Sequence, residues 1–323
     1  MISLAHTVKL SEMDLFAVRF LALDRIPKLL PGDFVVDENN QKLLLDKTLG
    51  RISNNFPLPK VHVQSLLESI VRTCESLRID VHEEVYERLA FVSQQATTEV
   101  TFGHYVIGSR DFVFRVHGDP FALVQDGSTG FMTWEAGKCL CWYLACERDL
   151  GGKRILEIGC GTGITGIITR WFQSNAEYCF TDYHTSTLEN AKKNCELNSL
   201  LKCASFKQLD MLQEDPEELF ANVIVGSDIL YDEALAAGLV RFLEHPNIKF
   251  EEAVIVSTIR TEKTYNLFIE SLERSGKLRY ESIYRLPFSS WVDIPRETDW
   301  KYFLNSNQKL FDPVIDLVRI VPV

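Results

Sequence analysis

The sequence lacks the features of several classes of protein. Its 323 residues include 34 Lys and Arg against 45 Asp and Glu, a net charge of -11, which argues against binding to phosphate backbones. No run approaches the roughly 18 uncharged apolar residues of a membrane helix, and the first residues lack the basic-then-apolar order of a secretory signal. We therefore expect no nucleic-acid partner, no membrane span and a cytoplasmic location.

Metal-binding cysteine patterns are also missing. The eight cysteines form no C-x-x-C pair, and no histidines cluster near them, so we expect no metal site. The sequence does contain 46% hydrophobic and 24% charged residues, a composition typical of a soluble globular protein. Its length allows one large domain or two ordinary ones.

The first part of the chain carries helical patterns. Ser11 followed by Asp14 resembles a capping box at the start of an apolar helix, and Asp80 is predicted to cap a later helix. Phe102–Ile107 and Phe112–Val116, joined by a short turn, predict a β-hairpin. We therefore predict a mainly helical region over 1–99 and a second domain over 100–323, which begins with the hairpin at 100–117.

From residue 154 onward the pattern alternates between strand and helix, which predicts an α/β fold with a doubly wound sheet. Strands are expected near 154–158, 177–181, 204–209, 222–227, 253–258, 278–285 and 314–321. Helices are expected near 164–173, 184–198, 232–244 and 262–274. The segment 286–313 is predicted to be irregular, which permits an antiparallel last strand inserted beside its neighbours.

Glycines at alternate positions follow the first of these strands. Gly159, Gly161 and Gly163 come after an apolar run that ends at Ile158, and Gly166 lies in the helix that follows. Without a Cβ atom the backbone can approach a ligand closely, and the start of the helix offers free N–H groups to it. The last three glycines also satisfy G-x-G-x-x-G, so a nicotinamide dinucleotide is a rival ligand to S-adenosylmethionine.

Acidic residues close the next two strands. Asp182 can accept hydrogen bonds from both hydroxyls of a ribose, which suits either ligand, and Asp210 can accept one from the amine of adenine. Either residue could instead cap the turn or helix that follows it. For Asp210 taken alone, and for Trp134 as a core anchor, the structural role is the more frequent one.

The fourth strand ends in an acid and an aromatic residue. Asp228 and Tyr231 follow the buried run that closes with Ser227, so they are expected over the central crevice of the sheet. There a carboxylate and a ring face can hold a nitrogen that carries positive charge. A nicotinamide enzyme has no special use for this pair, so the pair favours an amine as the second substrate.

Together these motifs resemble those of the seven-strand, class I protein-lysine methyltransferases. The shared motifs are Glu157-x-Gly159-x-Gly161-x-Gly163, Asp182, Asp210 and Asp228-x-x-Tyr231, preceded by Thr133-Trp134-Glu135-Ala136. Within that family the chain is most similar to the enzymes that methylate translation elongation factor 2. The resemblance is strongest over 125–235 and weak beyond 286.

The resemblance implies a fold, a cofactor and a site. It implies a Rossmann-like seven-stranded sheet with an antiparallel last strand, and a monomer that moves methyl groups to a lysine ε-amine of elongation factor 2. The implied cofactor is S-adenosylmethionine, with S-adenosylhomocysteine as the product. The implied catalytic residues are Asp228 and Tyr231, and the implied cofactor-binding residues are Trp134, Glu157, Gly159, Cys160, Gly161, Gly163, Asp182, Tyr183, Asp210, Met211 and Ser227.

One position departs from the family pattern. Relatives usually have Trp where this chain has Met211, and although Met can still pack against adenine, it lacks the indole N–H. This departure leaves one alternative open, namely a non-catalytic protein that binds elongation factor 2. A nicotinamide-dependent oxidoreductase is the other alternative.

Overall fold

The computed structural model describes residues 11–53, 55–96, 100–116, 124, 127–202, 204–305 and 312–323. The helices are α1 (Glu12–Leu21), α2 (Glu38–Thr48), α3 (Lys60–Leu77), α4 (Glu83–Gln94), α5 (Glu135–Cys146), α6 (Ile164–Phe172), α7 (Thr185–Leu197), α8 (Glu233–Glu244), α9 (Glu262–Arg274), α10 (Phe288–Trp291) and α11 (Thr298–Asn305). The strands are β1 (Thr101–Ile107), β2 (Arg110–Val116), β3 (Arg154–Ile158), β4 (Glu177–Asp182), β5 (Ala204–Gln208), β6 (Leu219–Phe220), β7 (Val223–Ser227), β8 (Ile248–Lys249), β9 (Glu252–Thr258), β10 (Leu278–Pro287) and β11 (Val314–Pro322).

Seven of the described strands form one sheet in the order β10-β11-β9-β7-β3-β4-β5. Strands β9, β7, β3, β4 and β5 run parallel to one another, whereas β11 is antiparallel to both β9 and β10. The last strand of the chain is thus inserted between two earlier ones. The predicted fold class is confirmed: this is the α/β sheet of the class I methyltransferases.

The central strands are buried on both faces. Every residue of β9 is buried, as are the first four of β7, which explains their almost continuous apolar sequences. Ala253 and Ile255 of β9 pack in one hydrophobic core with Leu239 of α8 and Phe268 of α9. Full burial of one such aliphatic or aromatic side chain contributes about 1.5–3 kcal/mol, so this core fixes the sheet that carries the site.

The Cα positions divide the chain into two compact units, Met1–Ala122 with Arg296–Gln308 and Leu123–Pro295 with Lys309–Val323. In the first unit, the N–H of Phe102 donates to the backbone oxygen of Pro57 at 2.8 Å, which ties the hairpin of β1 and β2 to the segment before α3. Helix α11 packs on the same hairpin, with the rings of Phe303 and Tyr105 5.9 Å apart. The boundary predicted after residue 99 lies inside this unit and remains a prediction.

The start of α1 was predicted correctly and the start of α4 was not. Ser11 and Asp14 form the expected reciprocal capping box. Helix α4 begins after His82, whose Nδ1 accepts from the N–H of Glu84 at 3.2 Å, and not after Asp80. The buried amide of Gln41 explains the difference, because it donates to the Asp80 backbone oxygen and accepts from the His82 N–H, which holds this segment extended.

Three helices were not predicted. Helix α2 begins with the polar run Glu38–Lys42 and is anchored by the cap at Asp37, while α10 and α11 lie in the segment that was expected to be irregular. The parts of the predictions that fall on 1–10, 54, 97–99, 117–123, 125–126, 203 and 306–311 lie outside the described residues. Among the helices described above, none combines the length and the apolar content that a bilayer crossing requires.

Candidate active site

The parallel strands carry the candidate residues to one edge of the sheet. Because these five strands point the same way, the residues at their carboxyl ends lie along a single crevice, where ligands of doubly wound sheets bind. In the order of the sheet from β5 to β9, the residues at or after the strand ends are Asp210, Asp182, Gly159, Asp228 and Thr258.

The turn between β3 and α6 requires its glycines. Gly159, Gly161 and Gly163 have φ angles of +66°, +54° and +82°, a backbone conformation that residues other than glycine rarely adopt. A Cβ atom on Gly159 would lie 2.8 Å from Cγ2 of Ile229, and one on Gly161 would lie 3.2 Å from the backbone oxygen of Gly130. The turn therefore needs glycine both for its backbone angles and for its close packing against Ile229 and Gly130.

Asp182 supports this turn and keeps capacity for a ligand. Its Oδ2 accepts from the N–H of Gly161 at 3.1 Å and its Oδ1 from the N–H of His184 at 3.0 Å. Burial raises its pKa, although these two backbone donors act in the opposite direction. A carboxylate has about four acceptor positions, so Asp182 can also accept from the hydroxyls of a ribose. The bond to His184, which precedes α7, shows that the predicted turn role is present as well.

Glu157 is a buried acid at the centre of the sheet. Burial raises its pKa to about 8, with a smaller contribution from the negative charge of Asp182, although the hydroxyl groups of Thr165 and Tyr178 act in the opposite direction. Among the described residues its Oε2 has no hydrogen-bond partner. Glu157 is therefore mainly protonated at neutral pH, and it can donate one hydrogen bond.

Asp228 is held in an unusual conformation by its neighbours. Its φ angle is +52°, which Asp tolerates better than most residues but which still requires support from its surroundings. Its N–H donates to the Val256 oxygen at 2.9 Å. Its Oδ1 accepts from the Thr258 N–H at 2.8 Å, and its Oδ2 accepts from the Thr258 hydroxyl at 3.0 Å and from Nη2 of Arg260 at 3.1 Å. Both oxygens of this nearly inaccessible side chain, 4% exposed, are thus already bound.

Arg260 connects Asp228 to Trp134. The guanidinium carbon of Arg260 lies 4.7 Å from the centre of the Trp134 ring, within the range of a cation–π contact. The indole N–H of Trp134 donates to the Thr129 oxygen at 3.1 Å, which fixes the ring just before α5. Trp134 is half-buried and stacked on a cation, so the structure places it at the sheet edge and not in the core.

Tyr231 lines an open pocket next to this cluster. The other lining residues come from the loop after β7, from the end of β9 and from the start of α9: Leu230, Ser257, Thr258, Ile259, Arg260, Thr261, Thr264 and Tyr265. Burial, together with the charges of Asp232 and Asp182, raises the pKa of the Tyr231 phenol, so it stays protonated at neutral pH.

The remaining predicted residues differ in their surroundings. Oδ1 of Asp210 accepts from the N–H of Leu212 at 2.8 Å, which is the turn-capping role considered above. Met211 is buried and packs in the core with Leu156 and Ile229. Its assignment to an adenine face is a prediction that these contacts leave open.

Three further positions complete the set. The N–H of Cys160 donates to the Thr181 oxygen at 2.8 Å, which joins the glycine turn to β4. Tyr183 is exposed, and its ring meets the edge of the His184 ring at 5.0 Å. Ser227 closes β7 beside Gly137 of α5, where a Cβ atom would lie 3.4 Å from the serine Oγ.

Two residues of the cluster were missed from the sequence. Thr258 and Arg260 were seen only as the end of a strand and its following turn. The signal that could have found them is the position of β9 next to β7, since the same rule that selected Asp228 applies to the next strand of the sheet. Among the described residues, no three His, Cys, Asp or Glu side chains come together to form a metal site.

Comparison with known proteins gives the family. Residues 122–275 match the family model described as lysine methyltransferase. Protein-lysine N-methyltransferase EEF2KMT of Mus musculus is 28% identical over 256 residues, which cover 73% of this chain and 72% of the relative. Its counterpart in Homo sapiens is 28% identical over 273 residues, which cover 76% of this chain and 81% of that protein.

A solved structure, P. horikoshii TYW2 in complex with MeSAdo, covers 74% of this chain and 81% of its own at 12% identity and a TM-score of 0.46. That similarity is too low to bear on function. The family match is different in kind, because it covers the glycine turn and every residue predicted to bind the cofactor or act in catalysis. The resemblance found in the sequence is confirmed: residues 122–275 match the lysine methyltransferase family model, and both relatives described above are named protein-lysine N-methyltransferases.

Proposed function

We propose that this methyltransferase uses S-adenosylmethionine to methylate the ε-amine of a lysine in a protein, and that its substrate is translation elongation factor 2. The observation that carries the proposal is the position of Asp228 and Tyr231 at the end of β7. This strand is the direct neighbour of β3, which carries the glycine turn. A site for an amine therefore lies next to a site for a nucleoside.

The residues of the glycine turn fit this cofactor. Gly159 and Gly161 form a turn without side chains, which lets its backbone approach a ligand closely, and Asp182 keeps acceptor positions for ribose hydroxyls. We assign these three residues to holding the cofactor. S-adenosylmethionine supplies the electrophilic methyl group when bound: the new N–C bond forms as the C–S bond breaks, and the sulfur keeps the electron pair.

The residues at the end of β7 act on the amine. A lysine has an unperturbed pKa near 10.4, so it must lose a proton to water before its nitrogen can attack. Removal from water lowers this pKa, and Tyr231 offers an apolar ring at the pocket where that happens. Asp228 orients the amine by accepting a hydrogen bond through its remaining acceptor position.

Two alternatives are less well supported. A nicotinamide-dependent oxidoreductase would use the glycine turn and Asp182, but it would leave Asp228 and Tyr231 without a role. A non-catalytic protein that binds elongation factor 2 would need none of the bonds that hold Asp228 at a positive φ angle.

Support for the substrate comes from the relatives. The two proteins named EEF2KMT cover most of this chain, including part of the region before residue 122. We also propose that the chain acts as a monomer and in the cytoplasm, where it would encounter an elongation factor.

The experiment tests transfer and assigns Asp228 at the same time. Purified chain is incubated with elongation factor 2 and S-adenosylmethionine carrying a tritiated methyl group, and the modified lysine is located by mass spectrometry. Asp228→Asn keeps the shape of the side chain and tolerates a positive φ angle, but it removes the charge. We expect turnover to fall by about 10²–10³-fold while affinity for the cofactor, measured by calorimetry, changes little.

Two outcomes of this experiment would contradict parts of the proposal. If the wild-type chain labels no lysine of elongation factor 2 but labels another protein, the substrate assignment is wrong and the reaction stands. If Asp228→Asn methylates at the parental rate, Asp228 has only a structural role.

A further inference from the structure

Arg260 lies at the pocket that the proposed function assigns to the incoming amine. It lines the pocket beside Tyr231, and its guanidinium lies between the carboxylate of Asp228, at 3.1 Å, and the ring of Trp134, at 4.7 Å. A carboxylate and an aromatic ring are the two groups expected to hold a substrate cation. In this chain they already hold a cation of their own.

The pairing changes what the pocket attracts. Alone, the buried charge of Asp228 would favour an ammonium ion, which has no lone pair with which to attack a methyl group. With Arg260 bound to Oδ2, the charge of the carboxylate is compensated, and an entering ammonium ion also meets the positive guanidinium. An amine without its proton meets no such repulsion, and it can donate a hydrogen bond to Asp228.

We propose that Arg260 is a positioning residue of the reaction, which compensates the charge of Asp228 so that the pocket accepts the substrate lysine as the neutral amine. The inference rests on the proposed function. A neighbouring cation is one of the ways in which proteins keep a lysine unprotonated. Arg is suited to this role because it stays charged at every pH of interest and stacks on aromatic rings.

Other charged groups near the cluster do not replace this effect. Three sets of titratable groups act on members of the cluster or line its pocket. Cys139 of α5, with Glu135 and Lys138, lies within reach of the charge of Asp228. Asp182 of β4 and Asp232, before α8, act on Tyr231, and Tyr265 of α9 lines the pocket. Lys263 is paired with Glu233 at the surface. The charge of Asp228 reaches the Cys139 thiol, where it helps to raise the pKa. Arg260 is the cation that contacts Asp228 directly.

A purely structural role for Arg260 predicts a different outcome. If Arg260 only fixed the positions of Asp228 and Trp134, its removal would lower the rate by the same factor at every pH. Charge compensation instead acts on the protonation of the substrate lysine. Its loss therefore lowers the rate at low pH and has no effect at high pH, where the amine is already unprotonated. The pH profile therefore separates the two roles.

The test follows the rate of methyl transfer to elongation factor 2 between about pH 6 and about pH 10. Arg260→Gln removes the charge and keeps a polar planar group, and Arg260→Lys is the matched control that keeps the charge. We expect the acid limb of kcat, measured at saturating substrate and reporting ionisation in the enzyme–substrate complex, to move upward by about one pH unit or more in Arg260→Gln, a loss of about tenfold near neutral pH. Arg260→Lys should keep the wild-type acid limb.

A rescue experiment keeps the test decisive if the substitutions disturb the fold. In Arg260→Ala, added ethylguanidinium should restore activity at low pH, while the neutral planar ethylurea should not. An unchanged acid limb in Arg260→Gln, or equal rescue by both compounds, would overturn the proposal. If the wild-type chain itself transfers no methyl group to a lysine at any pH, the proposed function is wrong. That outcome differs from a failure of the inference alone, in which the wild-type chain is active and only the behaviour of the variants contradicts the proposal.

Discussion

Glu157→Gln should stabilise the second unit, and the gain should grow with pH. The carboxyl is 1% exposed, and its pKa rises from 4.5 to about 8 in the folded chain. Because the folded value lies above the unfolded one, the unfolded chain releases this proton first as the pH rises. The free energy of unfolding therefore falls between pH 4.5 and about 8 and is constant above that window.

The size of the effect follows from the same two values. Each pH unit within the window is worth about 1.36 kcal/mol, so the full effect is on the order of 5 kcal/mol, of which about 3 kcal/mol is present at pH 7. Glutamine cannot ionise, so the variant does not lose this free energy of unfolding as the pH rises. Its amide has one more hydrogen to bond than the protonated acid, which adds an offset that does not depend on pH.

The assay compares wild type and variant in urea at about pH 5, pH 7 and pH 8.5. Hydrogen exchange of the β3 and β4 amides shows that the transition reports the unit that carries Glu157. Glu189→Gln, an exposed position on α7, is the control and should give no pH-dependent difference. If the difference in unfolding free energy between Glu157→Gln and wild type is the same at all three pH values, the buried acid is not the cause.

Three further changes have definite expected results. Asp182→Ala should weaken binding of S-adenosylmethionine by about tenfold or more, since hydrogen bonds to a charged acceptor contribute about 1.5–3 kcal/mol each; calorimetry on a folded variant with unchanged affinity would refute the ribose assignment. Gly166→Ala should cost about 1–3 kcal/mol or more in thermal unfolding, because its Cβ would lie 2.3 Å from the Phe180 ring, whereas Gly276→Ala, with nothing within 4 Å, should be neutral. A fragment that starts at Thr101 should be insoluble, since it leaves the hairpin without the Pro57 segment and the helices of its unit; a soluble fragment that binds the cofactor would contradict this.

The sheet could be predicted because its strands are locally encoded. The apolar runs that become β3, β7 and β9 are buried on both faces, so their limits in the sequence are almost their limits in the structure. Helix α2 could not be recognised in the same way, since its first turn is polar and its buried residues, such as Gln41 and Leu44, are specified by partners far along the chain. The start of α4 was misplaced for the same reason, because the amide that sets it lies 41 residues earlier than His82.

The site was predictable to the extent that it follows from strand ends. That rule placed the glycine turn, Asp182 and Asp228 at one edge of the sheet, and the structure brings them there. It could not show that Asp228 is bound by residues 30 and 32 positions later, because those contacts depend on which strand lies beside β7. Nor could it show that the Asp228 carboxylate is already paired, which is the observation that changes the chemistry of the pocket.

Helix α11 also decides when the first unit can be complete. It packs against β1 and α1, and Asp299 lies 3.2 Å from where a Cβ on Gly108 would stand, yet it begins at Thr298, whereas α1 ends at Leu21 and β1 at Ile107. A ribosome makes the chain from its N-terminus, so the helices and the hairpin emerge long before the helix that covers them. Until residue 305 has left the ribosome, the apolar face that receives Phe303 is open to water or to a chaperone. The second unit receives its last strand, β11, only after that, so the first unit cannot be complete until most of the second unit has been made.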